Sequence, residues 1–190
     1  MTKKLFSALA LTGALVLSGP GYISTAAAQA PVTVGGAPMF ADKNIVENAV
    51  NSADHTTLVA AVQAADLVET LQSPGPFTVF APTNAAFDKL PDGTVASLLE
   101  PDMKDALTTV LTYHVVPGRL TAQDLMNQIR SNGGAYTMTT AAGKPITARM
   151  NDNRIVIIDE SNGGATVTIG DVLQSNGVIH VVDSVLLPRM

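Results

Sequence analysis

Three histidines, His55, His114 and His180, are the side chains of this 190-residue chain whose charge ordinarily changes near neutral pH. Cysteine is absent, which removes thiolate metal sites and cysteine nucleophiles together. His180 and Asp183 have the residue types of a base and its orienting acid. A spacing of three along a strand turns them to opposite faces, so they cannot bond there, although a distant acid could meet His180 after folding. His114 follows Tyr113 at the end of an apolar helical stripe, where a buried ring bonding the backbone would stitch helix to sheet. His55 follows Asp54 at a helix start and is expected to be an exposed first-turn residue. Neither a Gly-x-Ser-x-Gly elbow nor a His-Glu-x-x-His pair occurs, so a hydrolase would have to assemble its relay from scattered residues. Asp152 and the paired Asp159-Glu160 could attract calcium, but no spaced oxygen loop accompanies them and a solvated face is expected. No catalytic, cofactor-binding or metal site is expected from the residues alone.

The elements that must position these side chains fall into two halves. A helical pattern begins at Asp42, with Ile45, Val46, Ala49 and Val50 on one face. Asp54 can cap a second helix carrying Leu58, Val62 and Ala65, and Leu67, Val68 and Leu71 extend its apolar surface before Ser73-Pro74-Gly75-Pro76 stops it. Phe77 to Phe80 reads as a short buried strand halted by Pro82, after which Thr83 caps a short helix with Ala86 and Phe87. Met103, Ala106, Leu107, Val110 and Leu111 repeat as one face of an amphipathic helix running into Tyr113-His114. Thr121 and Asp124 form a capping box for one more. Past Asn132-Gly133-Gly134 the pattern changes to strands. Pro145 to Met150 and Arg154 to Glu160 flank a three-residue turn, Asn151 to Asn153. Thr166 to Ile169 alternates as a half-buried strand. Val178 to Leu187 is apolar on both faces and must be central. Helices followed by an antiparallel half describe an α+β domain.

Three segments carry a resemblance. Gly75 to Phe87 (GPFTVFAPTNAAF), Tyr113 to Gly118 (YHVVPG) and Asn176 to Pro188 (NGVIHVVDSVLLP) stand in the order and separation of the signature boxes of fasciclin-like domains. The chain resembles that family, and within it the single-domain secreted bacterial members. The resemblance implies a β-sandwich or wedge of mostly antiparallel strands with a flanking layer of short helices, over residues 42–190. It also implies candidate interaction residues. Tyr113 and His114 match the tyrosine-histidine segment described for animal relatives. Asp171-Val172 stands where those relatives carry an aspartate-isoleucine pair credited with receptor binding, with valine here in place of isoleucine. That replacement weakens the case, and a loop aspartate closing a strand is the preferred reading of Asp171. Glu100-Pro101-Asp102-Met103 is similar to a receptor-binding string of the same relatives but lies elsewhere in the domain, and is set aside.

The first residues read as a cleavable export signal. Lys3 and Lys4 precede an apolar run, Leu5 to Leu17, too short for a bilayer, which needs roughly 20 residues. Ala26-Ala27-Ala28 offers a cleavage site, giving residues 1–28 as signal peptide and Pro/Gly-rich residues 29–41 as a flexible tether. Loss of Lys3 and Lys4 moves the formal charge from −5 to −7, nine basic residues against sixteen acidic. Such a chain repels phosphate backbones, so nucleic acid is not an expected partner. No stable membrane anchor is expected in the mature form. The expected function is a secreted or periplasmic, non-enzymatic adhesion or protein-interaction module whose partner is a protein or an envelope or matrix component. The alternative is a carrier of a small apolar ligand or lipid, suggested by Phe77, Phe80, Met103 and Leu107, which core packing also explains.

Overall fold

The computed structural model describes residues 30–91 and 93–189. The expected signal peptide, residues 1–28, lies outside them. Nine strands and seven α-helices are found among the described residues. Seven strands form one sheet in the order β4 (Val115–Pro117), β3 (Phe77–Pro82), β9 (Gly177–Val182), β8 (Gly164–Gln174), β7 (Arg154–Ile158), β6 (Pro145–Asn151), β5 (Ala135–Thr139). All pairings are antiparallel except β3 with β9. The sheet curls until its two edges approach, and the Ala141 amide donates to the Val115 carbonyl at 2.7 Å. The fold is thus the expected α+β class, and a curled single sheet close to a barrel is its fuller description.

Every residue of β9 is buried. Odd and even side chains of β3 and β9 point to opposite faces, so the sheet separates two cores. Val79, Ala81, Ile179 and Val181 face a helical layer built from α1 (Ile45–Ala49), α2 (Thr56–Ala64), α3 (Val68–Gln72) and α6 (Lys104–Tyr113). Phe80 and Val182 face the concave side, which Leu125 and Ile129 of α7 (Ala122–Ser131) plug. The two short helices α4 (Asn84–Phe87) and α5 (Thr94–Leu98) complete the helical half. Thr83 caps α4 and the Thr121–Asp124 box caps α7, as expected. Asp54 does not cap α2. Asn84 does so from a distance, accepting from the Thr57 amide at 3.0 Å and donating to the Ala53 carbonyl at 2.8 Å.

Of residues 29–41, expected to be a tether, the structure describes 30–41. Val32–Val34 (β1) and Ala37–Met39 (β2) form a hairpin in which Val34 is 1% and Met39 3% exposed. Gly35 and Gly36 turn it with φ of +58° and +76°, values L side chains avoid. Buried Asn48 holds the hairpin's end by accepting from the Phe40 amide at 3.0 Å and donating to its carbonyl at 2.8 Å. The turn at Asn151 to Asn153 is tighter than expected. Asn151 pairs with Arg154, leaving two residues at the tip, of which Asp152 adopts φ +52°.

β9 enters the sheet through Asn176-Gly177. A Cβ on Gly177 would overlap the Phe77 carbonyl oxygen, so only glycine admits the strand at this point. Buried Asn176 accepts from the Ile45 amide at 3.0 Å and donates to the Leu71 and Ser73 carbonyls at 2.7 and 3.0 Å, tying α1 and α3 to the strand. Asn176→Ala leaves three backbone groups without partners in the interior. A loss of about 3 kcal/mol is expected, at roughly 1–3 kcal/mol per unsatisfied group with partial relaxation. Urea denaturation measures it, and a wild-type midpoint would show that Asn176 does not tie these elements together.

Candidate functional site

The structure brings Tyr113, His114, Asp159 and Glu160 together, but as a clamp on the chain's own backbone. Tyr113 ends α6 with its ring wholly buried. Its hydroxyl donates to the Pro145 carbonyl at 2.9 Å and accepts from the Glu160 amide at 3.0 Å. Nδ1 of His114 lies 2.8 Å from the Val110 carbonyl, and Nε2 accepts from the Leu186 amide at 2.9 Å. An acceptor at Nε2 requires the proton on Nδ1, so the ring is neutral in that tautomer. Asp159, expected on a solvated face, is instead buried. Its Oδ1 accepts from Ser161 and Gly163 amides, folding the turn, and Oδ2 accepts from the Leu187 amide at 3.0 Å. Glu160 takes the Arg189 amide at 3.1 Å. The described residues after β9, 183–189, add no further strand, and His114, Asp159 and Glu160 satisfy amides that a sheet would otherwise pair.

His180 sits on β9 with its ring stacked on Phe80, centroids 5.6 Å apart. Nε2 lies 2.8 Å from the Leu120 carbonyl, and Nδ1 accepts from the Asp171 amide at 3.3 Å. Asp183 points away and accepts from the Thr166 amide, as the strand spacing requires. Asp171 itself is exposed, at φ +57°, and caps the start of α7 by accepting from the Ala122 amide at 2.7 Å. Val172 is wholly buried. Of the four candidate interaction residues, Tyr113, His114 and Val172 present no surface to a partner, because each fills the core. Only Asp171 reaches solvent. Among the described residues no group of three or more His, Cys, Asp or Glu side chains is placed to hold a metal ion.

His55 departs furthest from expectation. It is 2% exposed, beneath the β1–β2 hairpin, whose Gly35 carbonyl accepts from the Ala53 amide at 3.2 Å. Nδ1 lies 2.9 Å from the Ser52 hydroxyl, while Nε2 has no partner. An exposed His55 is what a tether over residues 29–41 implies, and the hairpin formed by Val32–Val34 and Ala37–Met39 changes that. The signal was present in Val32-Thr33-Val34-Gly35-Gly36, an alternating run followed by a two-glycine turn.

The outer surface is divided by charge. Residues 42–114 contain ten acidic and three basic side chains, and nine of the acids are exposed: Asp42, Glu47, Asp54, Asp66, Glu69, Asp88, Glu100, Asp102 and Asp105. All five arginines fall in residues 115–190, where six acidic and six basic side chains balance. The helical half therefore carries the net charge, and no spacing rule reveals this until the halves are seen as separate layers.

Residues 53–188 match the Fasciclin domain family. The chain belongs to that family. It is 51% identical over 146 residues to protein sll1483 of Synechocystis, covering 77% of this chain and 74% of the relative. Immunogenic protein MPB70 of Mycobacterium bovis is 36% identical, covering 90% and 82% of the two chains. Cell surface glycolipoprotein MPB83 of the same species is 35% identical, covering 85% and 68%. Among solved structures, the domain pair of the insect cell adhesion molecule fasciclin I superposes with a TM-score of 0.69 at 20% identity, over 76% of this chain and 51% of that one. That likeness shows the fold. No helix among the described residues is long and apolar enough to cross a membrane.

Burial lowers the pKa of His114 from 6.5 to about 4 and shifts His55 and His180 the same way. Between those pH values the unfolded chain binds more protons than the folded one. Stability is therefore complete above pH 6.5 and falls as pH drops toward 4, by on the order of 3 kcal/mol from His114 alone. Urea midpoints at pH 7 and pH 4 test this, and equal midpoints would contradict it. At constant pH 7, His114→Ala orphans the Leu186 amide and empties a core position, for an expected loss of about 3–5 kcal/mol. Wild-type stability in that variant, measured by calorimetry, would remove His114 from the clamp.

Proposed function

We propose that the protein is exported and acts as a non-enzymatic interaction module, binding a protein or an envelope or matrix component through its acidic helical face. The observation that carries this reading is where the polar groups are spent. His114, His180 and the buried Asp159 serve the fold's own backbone, whereas nine exposed carboxylates lie on the helical half. Family membership supports it, as do the names of the mycobacterial relatives, one a cell surface glycolipoprotein and one an immunogenic protein. A field of one sign steers partners of the opposite sign and repels nucleic acid and anionic lipid. The partner is accordingly a molecule with a basic surface, and contact at exposed charges weakens with salt. Tyr113, His114 and Val172 take no part in the contact, and Asp171, on the opposite half, is not required.

The mature chain, immobilised as bait against envelope extract and matrix polymers, is expected to retain a saturable partner at low ionic strength. Retention should fall several-fold at about 0.5 M salt, where the screening length is only a few Å. It should fall equally in a Glu69→Lys, Glu100→Lys variant. No saturable partner in either source, or capture indifferent to salt and to both substitutions, would reject this face as the binding surface.

A further inference from the structure

A cavity of about 120 Å³ lies between the helical layer and the outward face of β3 and β9. Ile45, Leu58, Val62, Leu71, Val79 and Ile179 contribute buried side chains to its wall. Valine is the commonest residue there, and its short side chain leaves space that protein interiors ordinarily fill. Val34 and Met39 of the N-terminal hairpin also line it, so the chamber is completed by residues that precede residue 53, where the family match begins. It approaches the surface between the helices, where half-buried Val46, Val59 and Val68 and exposed Gln63 and Thr70 form its rim. The interior offers a ligand no hydrogen bond. His55 Nε2 is sealed away and presents no surface to the chamber. Both nitrogens of His114 are bonded to backbone, so that ring contributes carbon alone. The Thr112 hydroxyl is spent on the Thr108 and Thr109 carbonyls.

We propose that this chamber is a binding site for a compact hydrocarbon without a polar group, a single carbon ring or a short branched chain of about five or six carbons. The volume sets the size, because a dry cavity of roughly 150 Å³ lined by Leu, Ile and Phe holds benzene. A long acyl chain or a sterol exceeds it. Water is no competitor, since a buried water needs two or more polar partners and the wall supplies none. Attraction comes from dispersion and from leaving water. Lining carbons that face empty space regain neighbours when a ligand enters, and the ligand's own apolar surface is removed from solvent in the same step. A hydroxyl or carboxylate on the ligand would give up its bonds to water without replacement, so the chamber selects against polarity.

The site uses none of the exposed carboxylates, so it goes beyond the interaction reading and stands whether or not the acidic face has a partner. It also gives the carrier alternative a place in the molecule. Phe77 and Phe80 line the chamber, whereas Met103 is exposed and Leu107 lies outside it.

Benzene, phenol and dodecanoate are the probes, titrated into the mature chain with methyl NMR and calorimetry as readouts. Benzene is expected to bind in the millimolar range or tighter, and to raise the Tm by about 3 °C at ten times its Kd. Its shifts should fall on the methyls of Ile45, Leu58, Val62, Leu71, Val79 and Ile179. They should spare Leu125, Ile129 and Ile157, which pack in the other core across the sheet. Phenol, of nearly the same shape, should bind about tenfold more weakly, and dodecanoate should leave the chamber methyls unmoved. Val62→Phe, which fills the chamber, should abolish benzene binding. Should that variant fail to fold, Val62→Leu, a milder filling, should weaken binding several-fold. No binding of benzene, shifts spread over both cores, phenol as tight as benzene, chamber shifts with dodecanoate, or undiminished binding in the filled variant would each overturn the proposal.

Discussion

The structure depends on a strand with no surface. β9 lies parallel to β3 on one side and antiparallel to β8 on the other, and all six of its residues are buried. A strand sealed on both faces needs a core on each, and the rest of the chain supplies them. Helices and the N-terminal hairpin cover one face. The curl of the sheet and α7 fill the other. Because β9 comes last in sequence, its insertion between β3 and β8 closes contacts separated by about a hundred residues. The polar groups near it serve that insertion: Asn176 at its entry, His180 within it, and Tyr113, His114 and Asp159 around the segment beyond its end.

This arrangement explains why residues with chemical potential are not chemically available. A buried imidazole is tolerated when each nitrogen has a partner and the ring stays neutral. His114 and His180 meet both conditions through backbone groups. Each carries an acceptor nitrogen opposite an amide, which disfavours protonation further, since a charged ring would set two donors against each other. His55 meets only half the condition. Its Nδ1 lies 2.9 Å from the Ser52 hydroxyl, while Nε2 is sealed in the interior without an aligned bond, an arrangement that costs stability.

Much of the fold is legible in the residues. The helical stripe over Ala106 to Leu111, the caps at Thr83 and Thr121, and the two-sided apolar run after Asn176-Gly177 all appear where periodicity and capping chemistry place them. Their signals are local, each carried within one or two turns or by strand alternation. Less visible were β1 and β2, short and interrupted by Pro38, and β5, whose Tyr136-Thr137-Met138 has only one fully buried side chain. Asp159 carried its signal in the Ser-Asn-Gly-Gly that follows, a turn an aspartate commonly folds by bonding amides ahead of it.

The candidate site was less legible, for a physical reason. Sequence by itself determined the family boxes, the lack of thiols, the net acidity and the opposed directions of His180 and Asp183, because composition and backbone period settle these before folding. Tertiary structure alone decided that Tyr113 and Val172 are core, that Asp171 caps a helix, and that the carboxylates gather on one layer. It also decided that a hairpin roofs His55. Burial and partnership are properties of two segments at once, and the segments concerned lie tens of residues apart. A residue's type says what bonds it can make; only the packed chain says whether those bonds are already taken.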